Sequence, residues 1–158
     1  MSQCELISHD GFIVTDSLLQ SFLRTCIGDV TLLGAPLFPG SWLDRDWSDR
    51  CAELARASGR LSQIGAQEAL ILFSAGSFST PKVLHPLRCS PSVSHSALPK
   101  FDRLLRLAVG RITNSSLTDT QWLQATLPIK DGGLGVRRVS SLAFPAFLAS
   151  AAGTDLLS

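Results

Sequence analysis

The sequence contains no Cys-x-x-Cys pair, no His-Glu-x-x-His, no Gly-x-Ser-x-Gly and no Gly-Lys-Ser/Thr. These absences remove the usual zinc ribbon, the zinc protease helix, the serine hydrolase elbow and the phosphate-binding loop. The four cysteines (Cys4, Cys26, Cys51 and Cys89) are widely spaced, and His9, His85 and His95 complete no zinc pattern with them. They are expected to be reduced thiols of an intracellular protein. The longest apolar stretches, such as Ala69 to Phe73, fall far short of the ~20 residues that cross a bilayer. No basic segment leading into an apolar run marks a signal peptide at the N-terminus. Charged residues are sparse, at 17% of the 158.

What is present is a core. Apolar residues make up 45% of the chain, too many for a disordered segment and enough for one domain. The net charge of +1 conceals an uneven distribution. Residues 1–53 carry three basic and eight acidic side chains, a net −5; residues 54–113 carry eight basic and two acidic, a net +6; residues 114–158 balance at three each. A locally basic middle is a candidate polyanion-binding face. A solvated helix surface is the plainer explanation of the same charges.

The pattern of apolar residues divides the chain into short elements. Leu6-Ile7 and Phe12 to Val14 suggest a short strand and turn. Thr15 or Asp16 is placed to cap a helix carrying Leu18, Leu19, Phe22 and Leu23. Gly28-Asp29 is a turn signal, and Val30 to Leu33 reads as a strand ended by Gly34 and Pro36. After Pro39-Gly40, Ser41 and Asp44 resemble a capping box for a helix with Trp47, Cys51, Leu54 and Leu61 on one stripe. Gly65 is expected to end it. A second helix is expected from about Ala66 to Phe78, and a third from Thr80-Pro81. Pro86 should kink or terminate that third helix at a cost of about 3 kcal/mol, so leucine in its place should stabilise the protein.

Residues 96–112 give the clearest amphipathic helix. Leu98, Phe101, Leu105, Ala108 and Ile112 share one face, and Lys100, Arg103, Arg106 and Arg111 share the other. Four such cations on successive phosphates would give a log-affinity slope against log salt of roughly −3 to −4. Thr118 and Gln121 form a capping box for a short helix with Trp122 and Leu123. In the run Leu127 to Arg138, Gly132, Gly133 and Gly135 place three glycines in four positions, the mark of a tight connection between packed elements. Pro145 is expected to open a last helix over Ala146 to Ala152, closed by Gly153. Asp44, Asp46 and Asp49, interleaved with Arg45 and Arg50, fit a solvated helix start better than a metal cluster. No nucleophile–base constellation is visible.

Several blocks, in order, resemble the reverse transcriptase of a non-LTR (LINE-type) retrotransposon. Cys4 to Ile7 is similar to the segment after the catalytic Asp-Asp motif, and Leu32 to Leu37 to the primer-grip hairpin. Residues 41–113 resemble the helical thumb. Asp119 to Ala125, Leu127 to Val136 and Ala146 to Ala152 resemble the segment after it. The resemblance implies a mainly α protein: a palm-edge remnant over residues 1–40 with its small β element, a thumb-like helical bundle over 41–113, and a post-thumb helical segment over 114–158. It implies a primer-grip-like tip at Leu33, Gly34 and Ala35. It also implies duplex contacts from Lys82, Arg88, Lys100, Arg103, Arg106 and Arg111, with an RNA–DNA or DNA duplex as sequence-independent partner.

The fingers and most of the palm of such an enzyme have no counterpart here. The aspartate pair that would hold two metal ions would precede Met1, so no catalytic or metal-binding residue and no cofactor is expected in this chain; Mg²⁺ belongs to the complete parent enzyme. No membrane and no small-molecule partner is expected either. Gly76 and Pro86, inside expected thumb helices, have the character of damage in a decaying copy. A small helical interaction protein, or an inert product of a degenerate element, is the competing expectation.

Overall fold

The computed structural model describes residues 5–8, 23–74 and 80–155, and the protein is mainly helical. Two strands, β1 (Glu5–Ser8) and β2 (Leu23–Cys26), pair in parallel with Glu5 opposite Leu23. Leu23, expected at the end of a helix, therefore opens a strand; the rest of that expected helix, and Phe12 to Val14, lie outside the described residues. A 3₁₀ turn at Ile27–Asp29 follows, where Gly28-Asp29 signals it.

The next strand is shorter than its apolar run suggests. β3 (Thr31–Leu32) pairs antiparallel with β4 (Ala35–Pro36), and Leu33 sits in the connecting turn instead of the strand. Leu33 and Gly34 have φ of +49° and +80°, the backbone of a two-residue type I′ hairpin. Ala35 is fully buried against the helices, Leu37 N–H donates to Val30 C=O at 3.0 Å, and the Ser90 hydroxyl donates to Pro36 C=O. The hairpin is thereby fixed to α1 (Ser41–Leu61) and α3 (Thr80–Cys89).

In α1 the buried stripe is the expected one, Leu43, Trp47, Cys51, Leu54 and Leu61. The expected capping box is absent: Gly40 holds the cap position, and the Asp44 carboxylate instead accepts from His95 Nε2 at 2.9 Å. His95 Nδ1 accepts from Ala97 N–H at 3.1 Å, which fixes the imidazole proton on Nε2. Trp47 stacks on this imidazole, meets Phe101 edge-on at 6.1 Å and donates from Nε1 to Ser92 Oγ at 3.1 Å. α1 ends at Leu61, before Gly65. Gly65 opens α2 (Ala66–Ser74), its carbonyl accepting from Ala69 N–H. Gly76 and Phe78 lie outside the described residues.

Pro86 does not terminate α3. The helix runs on to Cys89, and Pro86 is buried in the core beside Val83 and Leu87. Proline lacks the N–H that would bond Lys82 C=O, four residues earlier. That carbonyl is taken by Arg50 Nη1 at 2.9 Å, and the same guanidinium is held by Asp46 through Nε at 2.8 Å and Nη2 at 3.0 Å. An orphaned acceptor is part of what makes a mid-helix proline costly, and α1 supplies the missing donor. Pro86 is thereby accommodated, which removes the reason for leucine to stabilise this position.

α4 (Ala97–Ile112) packs on α1 and α6, and α6 packs mainly on α3. Leu98, Phe101, Leu105, Ala108 and Ile112 are buried as expected. α5 (Asp119–Ala125) starts at the expected capping box: Thr118 Oγ1 accepts from Gln121 N–H, and Gln121 Oε1 from Thr118 N–H. The glycine run is a turn. After a 3₁₀ turn at Ile129–Asp131, Gly132 and Gly135 adopt φ of +79° and +71°. A Cβ on Gly133 would lie 2.0 Å from Leu127 O. The run folds back so that the Leu134 and Val136 amides donate to Ala125 C=O.

The last helix is longer than expected. α6 spans Val139–Asp155, with Pro145 inside it and Gly153 before its end. Its first turn is held by a residue of another helix: the buried Asp102 accepts from Val139 N–H at 2.6 Å, from Ser140 N–H at 3.3 Å and from the Ser140 hydroxyl. This cap fixes the start of the helix seven residues upstream of Ala146.

Candidate nucleic-acid interface

The outer face of α4 carries Arg103, Leu107 and Arg111 one helical turn apart, with Arg106 beside them. The chain leaving α4 folds against this face. Asn114 adopts a left-handed conformation with φ of +48°, its N–H donates to Arg111 C=O at 3.2 Å, and Ser115 N–H donates to Gly110 C=O at 2.9 Å. This is a Schellman closure with asparagine at the left-handed position. It requires glycine at 110, where a Cβ would lie 2.8 Å from Ser115 O.

The closure raises residues 114–117 into one wall of an open depression of about 620 Å³, with Arg103, Arg106 and Arg111 opposite. A second depression of about 420 Å³ meets it at Arg103 and Arg106 and is bounded by Asp119, Trp122, Leu123 and Arg138. Together they form one groove across α4 and α5.

The cations in this groove differ in how they are held. Arg106 donates to Asp119 Oδ1 at 2.6 Å and to Leu117 C=O. Arg138 Nε lies 3.8 Å from Asp102 Oδ2, whose oxygens already cap α6. Arg103 and Arg111 are exposed, and among the described residues no carboxylate lies within 4 Å of either. Asp102, which the sequence places between these cations as their single offset, is directed inward instead.

The other expected contacts lie elsewhere. Lys82 reaches from α3 to Glu53 on α1, and its ammonium, hydrogen-bonded to Glu53, holds that carboxyl below its usual range. Lys100 is exposed on the flank of α4 towards α1. Its charge opposes the burial that pushes the Cys51 thiol up, and the thiol stays protonated and inert. Arg88 is exposed on α3. Of the expected hairpin tip, Leu33 is 86% exposed and Gly34 is exposed, but Ala35 faces the core.

Thus three of six expected cations share one site, and the groove adds Arg138, Asn114, Ser115 and Ser116, which the sequence did not single out. Arg137-Arg138 was the available signal, hidden because its segment balances in charge. Among the described residues no three His, Cys, Asp or Glu side chains converge, and no helix is long and apolar enough to cross a membrane.

No protein-family model matches this chain, nor does any curated protein, nor any solved structure.

Proposed function

We propose that this chain is the primer-grip, thumb and post-thumb portion of a retroelement reverse transcriptase, retaining sequence-independent grip on the backbone of a template–primer. The order of the sequence blocks supports the origin. The observation that carries the activity is the groove on α4, where among the described residues no carboxylate pairs with Arg103 or Arg111, and Arg106 and Arg138 stand beside them. Phosphate contacts of this kind position a nucleic acid without reading its bases, and they release counterions. Phosphoryl transfer needs carboxylates that fix two metal ions, so the chain alone is expected to extend no primer.

The test is a salt titration of binding to an RNA–DNA hybrid carrying a template overhang. Each phosphate contact contributes about −0.9 to the slope of log affinity against log salt. Arg103→Ala with Arg111→Ala should weaken binding and flatten the slope by about 2. Identical curves for both proteins, each folded by circular dichroism, would reject the reading.

A helical interaction protein is the second reading. It is favoured by Phe144 and Leu148, exposed one turn apart on α6. Self-association that persists in Phe144→Ser with Leu148→Ser would count against it.

A further inference from the structure

The groove on α4 and α5 is not only cationic. Leu107 is 51% exposed between Arg103 and Arg111, and Leu123 is 58% exposed in the adjoining depression, beside the edge of Trp122. A surface made solely for a duplex has no use for leucines among its arginines, because the outside of a duplex presents phosphate and sugar while its bases stack inside. A single strand presents both an anionic backbone and unpaired apolar base faces. The groove offers a counterpart for each: guanidinium groups on its rims, leucines and Trp122 between them, and the Asn114, Ser115 and Ser116 side chains as hydrogen-bonding groups along one wall.

Size points the same way. The two depressions, about 620 and 420 Å³, fall in the range of about 300–1,000 Å³ that suits small ligands. They can receive splayed nucleotides one or two at a time. A duplex, convex and stiff, would bridge over them and reach only the rims.

We infer that the groove binds single-stranded nucleic acid, with the backbone on Arg103, Arg111 and Arg138 and the bases on Leu107 and Leu123. This rests on the proposed backbone grip and names the form of the strand: the unpaired portion of a template, not the paired one. Base identity is not read, since leucine contacts distinguish bases only by their area.

The experiment compares three probes of equal phosphate number: a mixed-sequence single strand, the same strand made abasic, and a blunt RNA–DNA hybrid. The proteins are the wild-type chain, Leu107→Ala with Leu123→Ala, and Arg103→Ala with Arg111→Ala. All four side chains are exposed, so each variant should remain folded. The single strand should bind more tightly than either other probe. The leucine variant should lose about tenfold on the single strand, the scale of two half-buried leucines, and nothing on the abasic strand or the hybrid. The arginine variant should lose affinity for all three.

Equal or tighter binding of the blunt hybrid, or leucine variants that leave the single strand unaffected, would overturn the inference. In that case continued sensitivity to the arginine pair would leave the backbone grip standing. Binding that ignores the arginine pair as well would remove both.

Discussion

Arg50 and Lys82, in the seam between α1 and α3, are held by partners: Asp46 and the Lys82 carbonyl for the first, Glu53 for the second. Arg103 and Arg111, on the outer face of α4, are held by no carboxylate among the described residues. The two regions bear the same residue types, and Lys82 shares the basic stretch of residues 54–113 with Arg103 and Arg111. In the seam, charge repairs a helix and ties two elements together. On the groove, the charges of Arg103 and Arg111 are left to whatever comes from solution. Net charge over a window therefore says little about binding; what matters is whether each cation already has a partner. Substitutions in the seam should change stability and spare binding, and substitutions of the groove arginines should do the reverse.

The largest expected effect tests an exception to that division. Asp102 borders the groove but points its carboxylate inward, onto the first turn of α6. Asp102→Ala removes the cap and leaves the Val139 amide buried without an acceptor. It should cost about 3 kcal/mol in urea unfolding, from the combined cap and unsatisfied-donor terms. A cost below about 0.5 kcal/mol, within the range of an ordinary surface change, would mean that α6 starts without it.

Next is the seam itself. Arg50→Met should cost about 2 kcal/mol, since it orphans Lys82 C=O and leaves Asp46 unpaired. The sharper measurement is a double-mutant cycle with Pro86→Ala. Alanine restores the N–H that Lys82 C=O lacks, so the loss on Arg50→Met should shrink by about 1 kcal/mol in that background. Additive losses would show that the guanidinium does not stand in for the proline's missing donor.

Arg103→Ala with Arg111→Ala provides the contrast. Unfolding free energy should stay within about 0.5 kcal/mol of wild type while affinity for nucleic acid falls. A large loss of stability would erase the difference between the two regions.

The smallest effect is a pH dependence in the seam. The Glu53 carboxyl is held below its usual range by its hydrogen bond to Lys82, with the nearby Arg56 and Arg50 charges acting in the same direction. A lowered folded-state value gives stability that is present above the ordinary carboxylate range and is lost as pH falls through the lowered value. Both side chains are more than a third exposed, so screening leaves this contribution within about 0.5 kcal/mol. Glu53→Gln should flatten the acid limb of the stability curve by that amount and leave neutral-pH binding unchanged. A steeper acid limb in the variant would contradict the assignment.

Much of this was legible in the sequence because it is local. The buried stripes of α1 and α4, the Thr118–Gln121 box and the turn at Gly132, Gly133 and Gly135 follow from spacing within a few residues. The errors lie where a distant residue completes a local pattern. Pro86 reads as a break until Arg50, far earlier in the chain, takes the orphaned carbonyl. Val139 is an unremarked start until Asp102 caps it. Leu33 reads as strand because nothing local forces a leucine to positive φ; the packing of Ala35 and Val30 on the core sets the turn there. Of the groove, the cations on α4 were visible as a helix face. The wall at residues 114–117 was not, because it depends on a left-handed asparagine and on the close approach that Gly110 permits.

Pro86 and Pro145 occupy equivalent places, each the seventh residue of its helix, yet among the described residues only the carbonyl that Pro86 orphans is taken by a side chain. Ser141, whose carbonyl Pro145 leaves without its helix donor, is exposed, as is Pro145 itself. Pro86, by contrast, is buried, and the carbonyl it orphans is taken by a side chain of α1.

The carboxylate at Asp102 also orders events in time. A helix is slow to begin because its first turn fixes several residues for one bond. The first turn of α6 is fastened to a residue 37 positions earlier, so it gains its anchor only once α4 has wound. In the finished molecule the dependence runs the other way as well: unwinding α4 at Asp102 frees the start of α6, so the rim of the groove and the C-terminal helix should open as one unit and exchange their amide protons together.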